Sequence, residues 1–238
     1  MRIAVLELAA TWGDPAGALD AVAARLAAGP AADLVLLPEA SLTGYVSPAR
    51  DFDLTRFAEP LDGATAQRCA ALARERDIHL VAPLVLCEDD AVSNAMVCFD
   101  PHGDVAFVYR KRHPWLPETW ATPGARPPPV VAIAGVRVTI AICFDLQFAP
   151  DDMVDELAAA DLLLFPSAWV ERPAHRVDQL AALARRFGIY VANANWSEGV
   201  VRVPGQGGSC AIDPDGVVLA RARPAGRVDF EVCEKARL

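Results

Sequence analysis

Short apolar runs alternate along this chain with Ala-, Leu- and Arg-rich stretches whose apolar residues recur every three or four positions. Met1-Arg-Ile-Ala-Val-Leu-Glu-Leu8 reads as a first strand. Further strands are expected in Leu34-Val-Leu-Leu-Pro-Glu39, Val105-Ala-Phe-Val-Tyr-Arg-Lys111 and Val136-Arg-Val-Thr-Ile-Ala-Ile-Cys143. Leu19, Val22 and Leu26, and again Leu180, Leu183 and Phe187, mark the apolar stripes of helices. The alternation predicts an α/β protein in which helices cover strand-built sheets.

The pattern also occurs twice. Ala32-Asp-Leu-Val-Leu-Leu-Pro-Glu-Ala40 returns as Ala160-Asp-Leu-Leu-Leu-Phe-Pro-Ser-Ala168, and Ala71-Leu-Ala-Arg-Glu-Arg-Asp-Ile-His-Leu-Val-Ala82 returns, one residue shorter, as Ala182-Leu-Ala-Arg-Arg-Phe-Gly-Ile-Tyr-Val-Ala192. Val97-Cys-Phe-Asp-Pro-His-Gly-Asp-Val105 is echoed by Cys210-Ala-Ile-Asp-Pro-Asp-Gly-Val-Val218, each a strand entering an Asp-Pro-x-Gly turn. The three pairs keep one order, which predicts two similar halves. Burying two such sheets face to face, with helices outside, gives a four-layer αββα sandwich of two pseudo-repeated halves. The Pro-rich residues 121–129 join the halves as a loop too short for a domain linker, so residues 1–238 read as one domain.

A chain of 238 residues can bury roughly 70–75% of its unfolded surface without disulfides or metals. No uncharged apolar run approaches the ~20 residues that span a bilayer, and the N-terminus lacks the basic segment of an export signal, so a cytoplasmic protein is expected. The formal charge of −9 repels nucleic acid and anionic membrane, leaving a small molecule as the expected partner. The six cysteines form no CxxC pair and the four histidines no ligand spacing, which predicts free thiols and no metal.

Three reactive side chains stand at strand ends: Glu39, Lys111 and Cys143. A thiol attacks a carbonyl or nitrile carbon only as thiolate and needs a base or a cation beside it. Glu39 follows four apolar residues and a proline, where an unpaired charge is costly, so it is either the base, a salt-bridge partner or a helix cap. Only Lys111 and Lys235 are lysines among the 22 basic residues. A compact ammonium between Arg110 and Arg112 suits an oxyanion better than a guanidinium fork does, although a solvated charge in a basic run is the plainer reading. Glu118, among aromatics and prolines, could hold Lys111 protonated or shuttle protons. Tyr45, Trp115, Trp120 and Trp169 are candidates for an aromatic pocket lining, or for simple core.

Leu36-Leu-Pro-Glu-Ala-Ser-Leu-Thr-Gly-Tyr45, Tyr109-Arg-Lys-Arg-His113, Glu118 followed by Thr122-Pro-Gly124, Ile142-Cys-Phe-Asp145 and Pro166-Ser-Ala-Trp169 together resemble the nitrilase superfamily of carbon–nitrogen hydrolases. The match runs in order from the first strand to the Asp213-Pro-Asp-Gly turn. The resemblance implies the αββα sandwich, a catalytic triad of Glu39, Lys111 and Cys143, Glu118 as an additional catalytic glutamate, no cofactor, and a homodimer. In that reading Glu39 takes the thiol proton, Cys143 attacks, and Lys111 with the Phe144 backbone N–H holds the oxyanion.

Cys143-Phe-Asp145 is closer to the Cys-Tyr-Asp of amidase and carbamoylase branches than to the Cys-Trp-Glu of nitrilases, so an amide or N-carbamoyl substrate is expected ahead of a nitrile. Two departures stand out. Gln147-Phe-Ala-Pro150 replaces an Arg-Phe-Pro-Glu sequence, which removes a cation and weighs against a carboxylate-bearing substrate. Phe187-Gly188 replaces a Glu-Asn pair, which bears on helix packing or the dimer face. The rivals are a Cys-His hydrolase using His113 or His175, and a catalytically silent sandwich that binds a metabolite or protein.

Overall fold

The computed structural model describes residues 1–171 and 173–233. In chain order the elements are β1 (Arg2–Leu6), β2 (Leu8–Ala9), α1 (Pro15–Ala28), β3 (Leu34–Leu36), α2 (Ala64–Arg76), β4 (His79–Glu88), β5 (Ala91–Phe99) and β6 (Val105–Arg110). They continue with β7 (Val131–Ile133), β8 (Val136–Ile140), α3 (Ala149–Asp152), α4 (Val154–Ala159), β9 (Leu162–Ser167), α5 (Pro173–Phe187), β10 (Tyr190–Ser197), β11 (Cys210–Ile212), β12 (Val218–Arg221) and β13 (Arg227–Glu231). One sheet runs β13-β1-β3-β4-β5-β6 and the other β12-β11-β10-β9-β8-β7.

Strand alternation explains the layering. Ile3 and Val5 of β1, Leu34 and Leu36 of β3, and Met96 and Cys98 of β5 enter a core shared with second-sheet residues such as Val138, Ile140 and Leu164. Their neighbours Ala4, Leu6, Val35, Val97 and Phe99 face the other way, onto Leu19 and Val22 of α1 and Cys69 and Leu72 of α2. Both faces of the central strands β1, β3 and β5 are therefore apolar, and each fully buried Leu or Val stabilises by about 1.5–3 kcal/mol. On the far side α5 contributes Leu180, Leu183 and Ala184 to the core of the second sheet. The fold is the expected αββα sandwich.

The repeat is legible down to single bonds. Strands β1-β3-β4-β5-β6 and β8-β9-β10-β11-β12 lie in the same spatial order. The Arg2 backbone N–H and guanidinium both bind Asp33, with the backbone bond at 2.7 Å; Arg137 binds Asp161 in the same way, with its backbone bond at 2.8 Å. The two Asp-Pro-x-Gly turns end in Gly103 (φ +81°) and Gly216 (φ +76°), whose left-handed backbones lie against α2 and α5. A Cβ on Gly103 would lie 2.9 Å from the carbonyl of Ala70, and one on Gly216 would lie 2.7 Å from that of Ala181.

The N-terminal run departs from expectation. Residues 1–8 do not form one strand: β1 stops at Leu6, and Leu8 and Ala9 cross to pair with Trp196 and Ser197 of the other sheet. Glu7 causes the break. Its buried carboxylate must find donors, and it takes the backbone N–H groups of Ser209 (3.0 Å) and Ala225 (3.2 Å). Strand β13, from the far end of the described chain, closes the first sheet by pairing antiparallel with β1. Among the described residues, no helix is long and apolar enough to cross a membrane.

Candidate active site

Strands β1, β3 and β4 are mutually parallel, as are β8, β9 and β10, and β6 regains the direction of β4 through two antiparallel pairings. Glu39 follows β3, Lys111 follows β6, Cys143 follows β8 and Ala168 follows β9. All four stand beyond the carboxyl ends of their strands, where α/β sheets open into clefts.

Lys111 is fully buried between two carboxylates. Its Nζ donates to Glu39 Oε1 and to Glu118 Oε1, each at 2.7 Å. Burial alone would lower its pKa, but the two carboxylates hold it above the ordinary lysine value, so it remains an ammonium. Asn94, from the middle of β5, donates to Glu39 Oε1 at 2.8 Å, and its carbonyl accepts the Lys111 backbone N–H at 2.8 Å. The Ala168 N–H binds the other oxygen, Glu39 Oε2, at 2.9 Å. Tyr45 donates to Glu118 Oε1 at 2.8 Å. Two carboxylates share one ammonium, and burial together with the Glu39 charge pushes the Glu118 pKa up even though Lys111 pulls it down.

Cys143 opens a short helical turn, Cys143–Gln147, with its backbone at φ +46°. A non-glycine residue in this region is strained and persists only where its surroundings hold it. Asp145 is the holder. Its Oδ2 accepts the Ile142 N–H at 3.0 Å and the Tyr109 hydroxyl at 2.9 Å, while Oδ1 accepts the His113 N–H and faces His113 Nδ1, both at 2.9 Å. The turn is thereby tied to Tyr109 of β6 and to His113 just beyond Lys111. Burial and the charges of Glu39 and Glu118 raise the Cys143 pKa, opposed by Lys111, so the resting group is a thiol.

We predict that Asp145→Asn lowers the melting temperature, since an amide presents N–H groups to N–H and O–H donors and disrupts bonds worth about 1.5–3 kcal/mol each. Displacing the turn should also cut kcat, by up to about 100-fold for a 1 Å shift. A variant with wild-type melting and turnover would show that Asp145 does not hold the turn.

A cavity of about 390 Å³ opens over Cys143, walled by Tyr45, Trp115, Phe144 and Trp169, with Gln147 and His175 also lining it. This lies within the range of small-ligand sites. Trp120, expected with the pocket aromatics, is not among its lining residues and packs instead against the apolar cluster around Tyr45 and Trp196. His113 is also elsewhere: its ring stacks on Phe148 at 4.0 Å and faces Asp145 and Asp152. Among the described residues, no group of three or more His, Cys, Asp or Glu side chains could hold a metal ion.

Asn94 and the Ala168 N–H have no role in the sequence reading of the site, and Asp145 enters it only as part of the Cys143-Phe-Asp145 motif, without its role as holder of the turn. An amide inside the apolar strand Val92-Ser-Asn-Ala-Met-Val97 was a usable signal, because buried polar groups need partners. The Ala168 N–H carries no side-chain signature.

The sequence model of the carbon–nitrogen hydrolases matches residues 2–228. The chain belongs to this family. Within it, this carbon–nitrogen hydrolase is 31% identical to an (R)-stereoselective amidase of Pseudomonas sp. over 93% of this chain and 81% of the relative. A cysteine-to-alanine variant of an amidase from Nesterenkonia AN1, of the nitrilase superfamily, superposes with a TM-score of 0.83 at 29% identity, covering 96% of this chain and 89% of that one. A glutamate-to-glutamine variant of the Nesterenkonia sp. AN1 amidase carries the acetamide moiety of fluoroacetamide on its active-site cysteine; it superposes with a TM-score of 0.79 at 27% identity, over 96% and 88% of the two chains.

Proposed function

We propose that this carbon–nitrogen hydrolase cleaves small amides, or N-carbamoyl compounds, through a thioester on Cys143. The observation that carries the reading is the buried Glu39–Lys111–Glu118 chain of 2.7 Å bonds behind a cavity that Cys143 lines. Glu39 accepts the thiol proton as the sulfur attacks the amide carbon, and negative charge moves onto the carbonyl oxygen. Lys111 and the Phe144 N–H, in the first turn where helical N–H groups lack intrahelical partners, stabilise that oxyanion. The amine leaves with a proton, and water deprotonated by Glu39 cleaves the thioester to a carboxylic acid. Glu118 and Tyr45 keep Lys111 oriented and charged.

The test is ammonia release from simple amides, N-carbamoyl compounds and nitriles, with intact-mass detection of an acyl adduct on Cys143. Turnover without an adduct on any trapped substrate speaks against the covalent step. His175 lines the same cavity, which keeps a Cys-His mechanism distinguishable: it requires His175→Ala to abolish turnover and Lys111 to be dispensable. The reading also takes the 25.4 kDa chain as one domain, cytoplasmic and homodimeric, the last by analogy with similar proteins. A monomeric mass by light scattering would remove the dimer.

A further prediction separates base from thiol. Glu39 raises the Cys143 pKa and Lys111 lowers it. Glu39→Gln should therefore shift the pH profile of Cys143 alkylation by iodoacetamide to lower pH while amide turnover falls, by about 100-fold or more for loss of a general base. Peptide mapping is needed to separate Cys143 from the more accessible Cys87 and Cys233. An alkylation profile moving to higher pH would contradict the assigned charge balance.

A further inference from the structure

Among the described residues Arg176, near the start of α5, is the largest fully buried side chain, and it exposes no surface. Among the described residues, no carboxylate lies within ion-pair distance of it. Its guanidinium is satisfied by neutral acceptors alone: Nε donates to Asn193 Oδ1 (3.0 Å), Nη1 to the Gly205 carbonyl (3.3 Å), and Nη2 to the carbonyls of Gly207 (2.8 Å) and Gly208 (3.3 Å). Burial lowers its pKa to about 10, which leaves it charged at neutral pH. Burying a charge this completely is unfavourable unless its geometry does something a neutral side chain could not.

That geometry gathers one loop, residues 205–208, onto one planar fork. Asn195 donates to the same loop, at the carbonyls of Gly205 (2.9 Å) and Gly207 (2.8 Å). The loop in turn presses on the cavity wall. A Cβ on Gly205 would lie 2.4 Å from the Glu171 carbonyl and 2.5 Å from the Trp169 carbonyl, and residues 168–171 all line the cavity over Cys143. The Arg176 guanidinium carbon also sits 5.9 Å from the Trp169 ring centroid. Wall, loop and guanidinium are thus one stack, with Trp169 on the substrate side.

We propose that Arg176 is a positioning residue for substrate selection: acting through the loop at 205–208, it fixes the wall at 168–171 and so decides how bulky an amide can be seated against Cys143. The inference deepens the amidase reading and rests on it for the word substrate. Lysine at 176 would keep the charge but offers one point of attachment where the fork spans four acceptors. Alanine at 205 would push the loop off the wall from the other side, with Arg176 intact.

The experiment compares Arg176→Lys and Gly205→Ala with the wild-type protein on acetamide and on 3-phenylpropionamide, and labels Cys143 with iodoacetamide and with the bulkier N-phenyl iodoacetamide. In both variants KM for the bulky amide should rise about 10- to 100-fold while acetamide kcat/KM stays within about two-fold, as displacement of one wall dictates. The ratio of bulky to small labelling rates should move with it. Equal losses on both amides with an unchanged labelling ratio, or wild-type behaviour of Arg176→Lys, would overturn the proposal. If Arg176→Lys does not fold, Gly205→Ala decides alone. A changed labelling ratio in a protein that hydrolyses no amide would retain the wall assignment and remove the amidase reading.

Discussion

Cys143→Ala is expected to abolish ammonia release while leaving the fold intact. Without the sulfur there is no nucleophile, and removing the nucleophile of a hydrolase in which several groups act as a unit lowers kcat by about six powers of ten. Alanine can occupy the same φ +46° backbone at similar strain, and the bonds that hold the turn belong to Asp145, so melting should change by about 1 kcal/mol or less. The variant should still bind an amide in its 390 Å³ cavity, which calorimetry can read. Residual turnover within 100-fold of wild type, a margin far smaller than a lost nucleophile produces, would remove Cys143 from the chemistry.

Lys111→Met carries the second large effect, and it acts on stability as well as rate. Loss of one oxyanion donor lowers kcat by about 100- to 1000-fold. At the same time Glu39 and Glu118, whose Oε1 atoms both contact the Lys111 ammonium at 2.7 Å, are left buried without their shared cation. Breaking a buried pair from one side costs about 3–5 kcal/mol. The sign of the pH dependence follows. Burial already raises the Glu118 pKa, and removing Lys111 removes the main influence lowering it. A carboxyl whose folded pKa lies above its unfolded value favours the native state at low pH and loses that advantage as pH rises through the folded value. Lys111→Met should therefore be closer to wild-type stability in mild acid than at neutral pH. Adding Glu118→Gln should recover stability without recovering turnover. Recovery of both would show that Lys111 serves the fold alone.

Much of the fold was legible because its signals are local. A period-two apolar run ending in a charged residue marks a strand that delivers that residue to a sheet end, as with Lys111 after β6. The two halves repeat because each builds the same strand–helix–strand unit, down to Arg74 and Arg185 beside paired glycines. The N-terminal run reads as one strand but folds as two, because nothing local tells Glu7 that its donors are Ser209 and Ala225, over two hundred residues away. Trp115 and Trp120 look alike in the chain, yet only Trp115 lines the cavity; sidedness in an irregular segment has no period to read.

By itself the sequence determined the α/β class, the duplicated order of strands, and which titratable residues stand at strand ends, since all three follow from the spacing of apolar positions and turn residues along a few neighbouring positions. Only the tertiary structure decided that Asn94, the Ala168 N–H and Tyr45 complete the carboxylate–ammonium cluster, that Asp145 holds the Cys143 turn, and that Arg176 gathers a loop behind Trp169. Apart from the local Ile142–Asp145 bond, these contacts join residues tens of positions apart, and those of Ala168 with Glu39 and of Tyr109 with Asp145 run between the two stacked sheets. A backbone N–H or a buried amide becomes a partner only once the stacking brings an unsatisfied charge within 3 Å of it, the reach of a hydrogen bond.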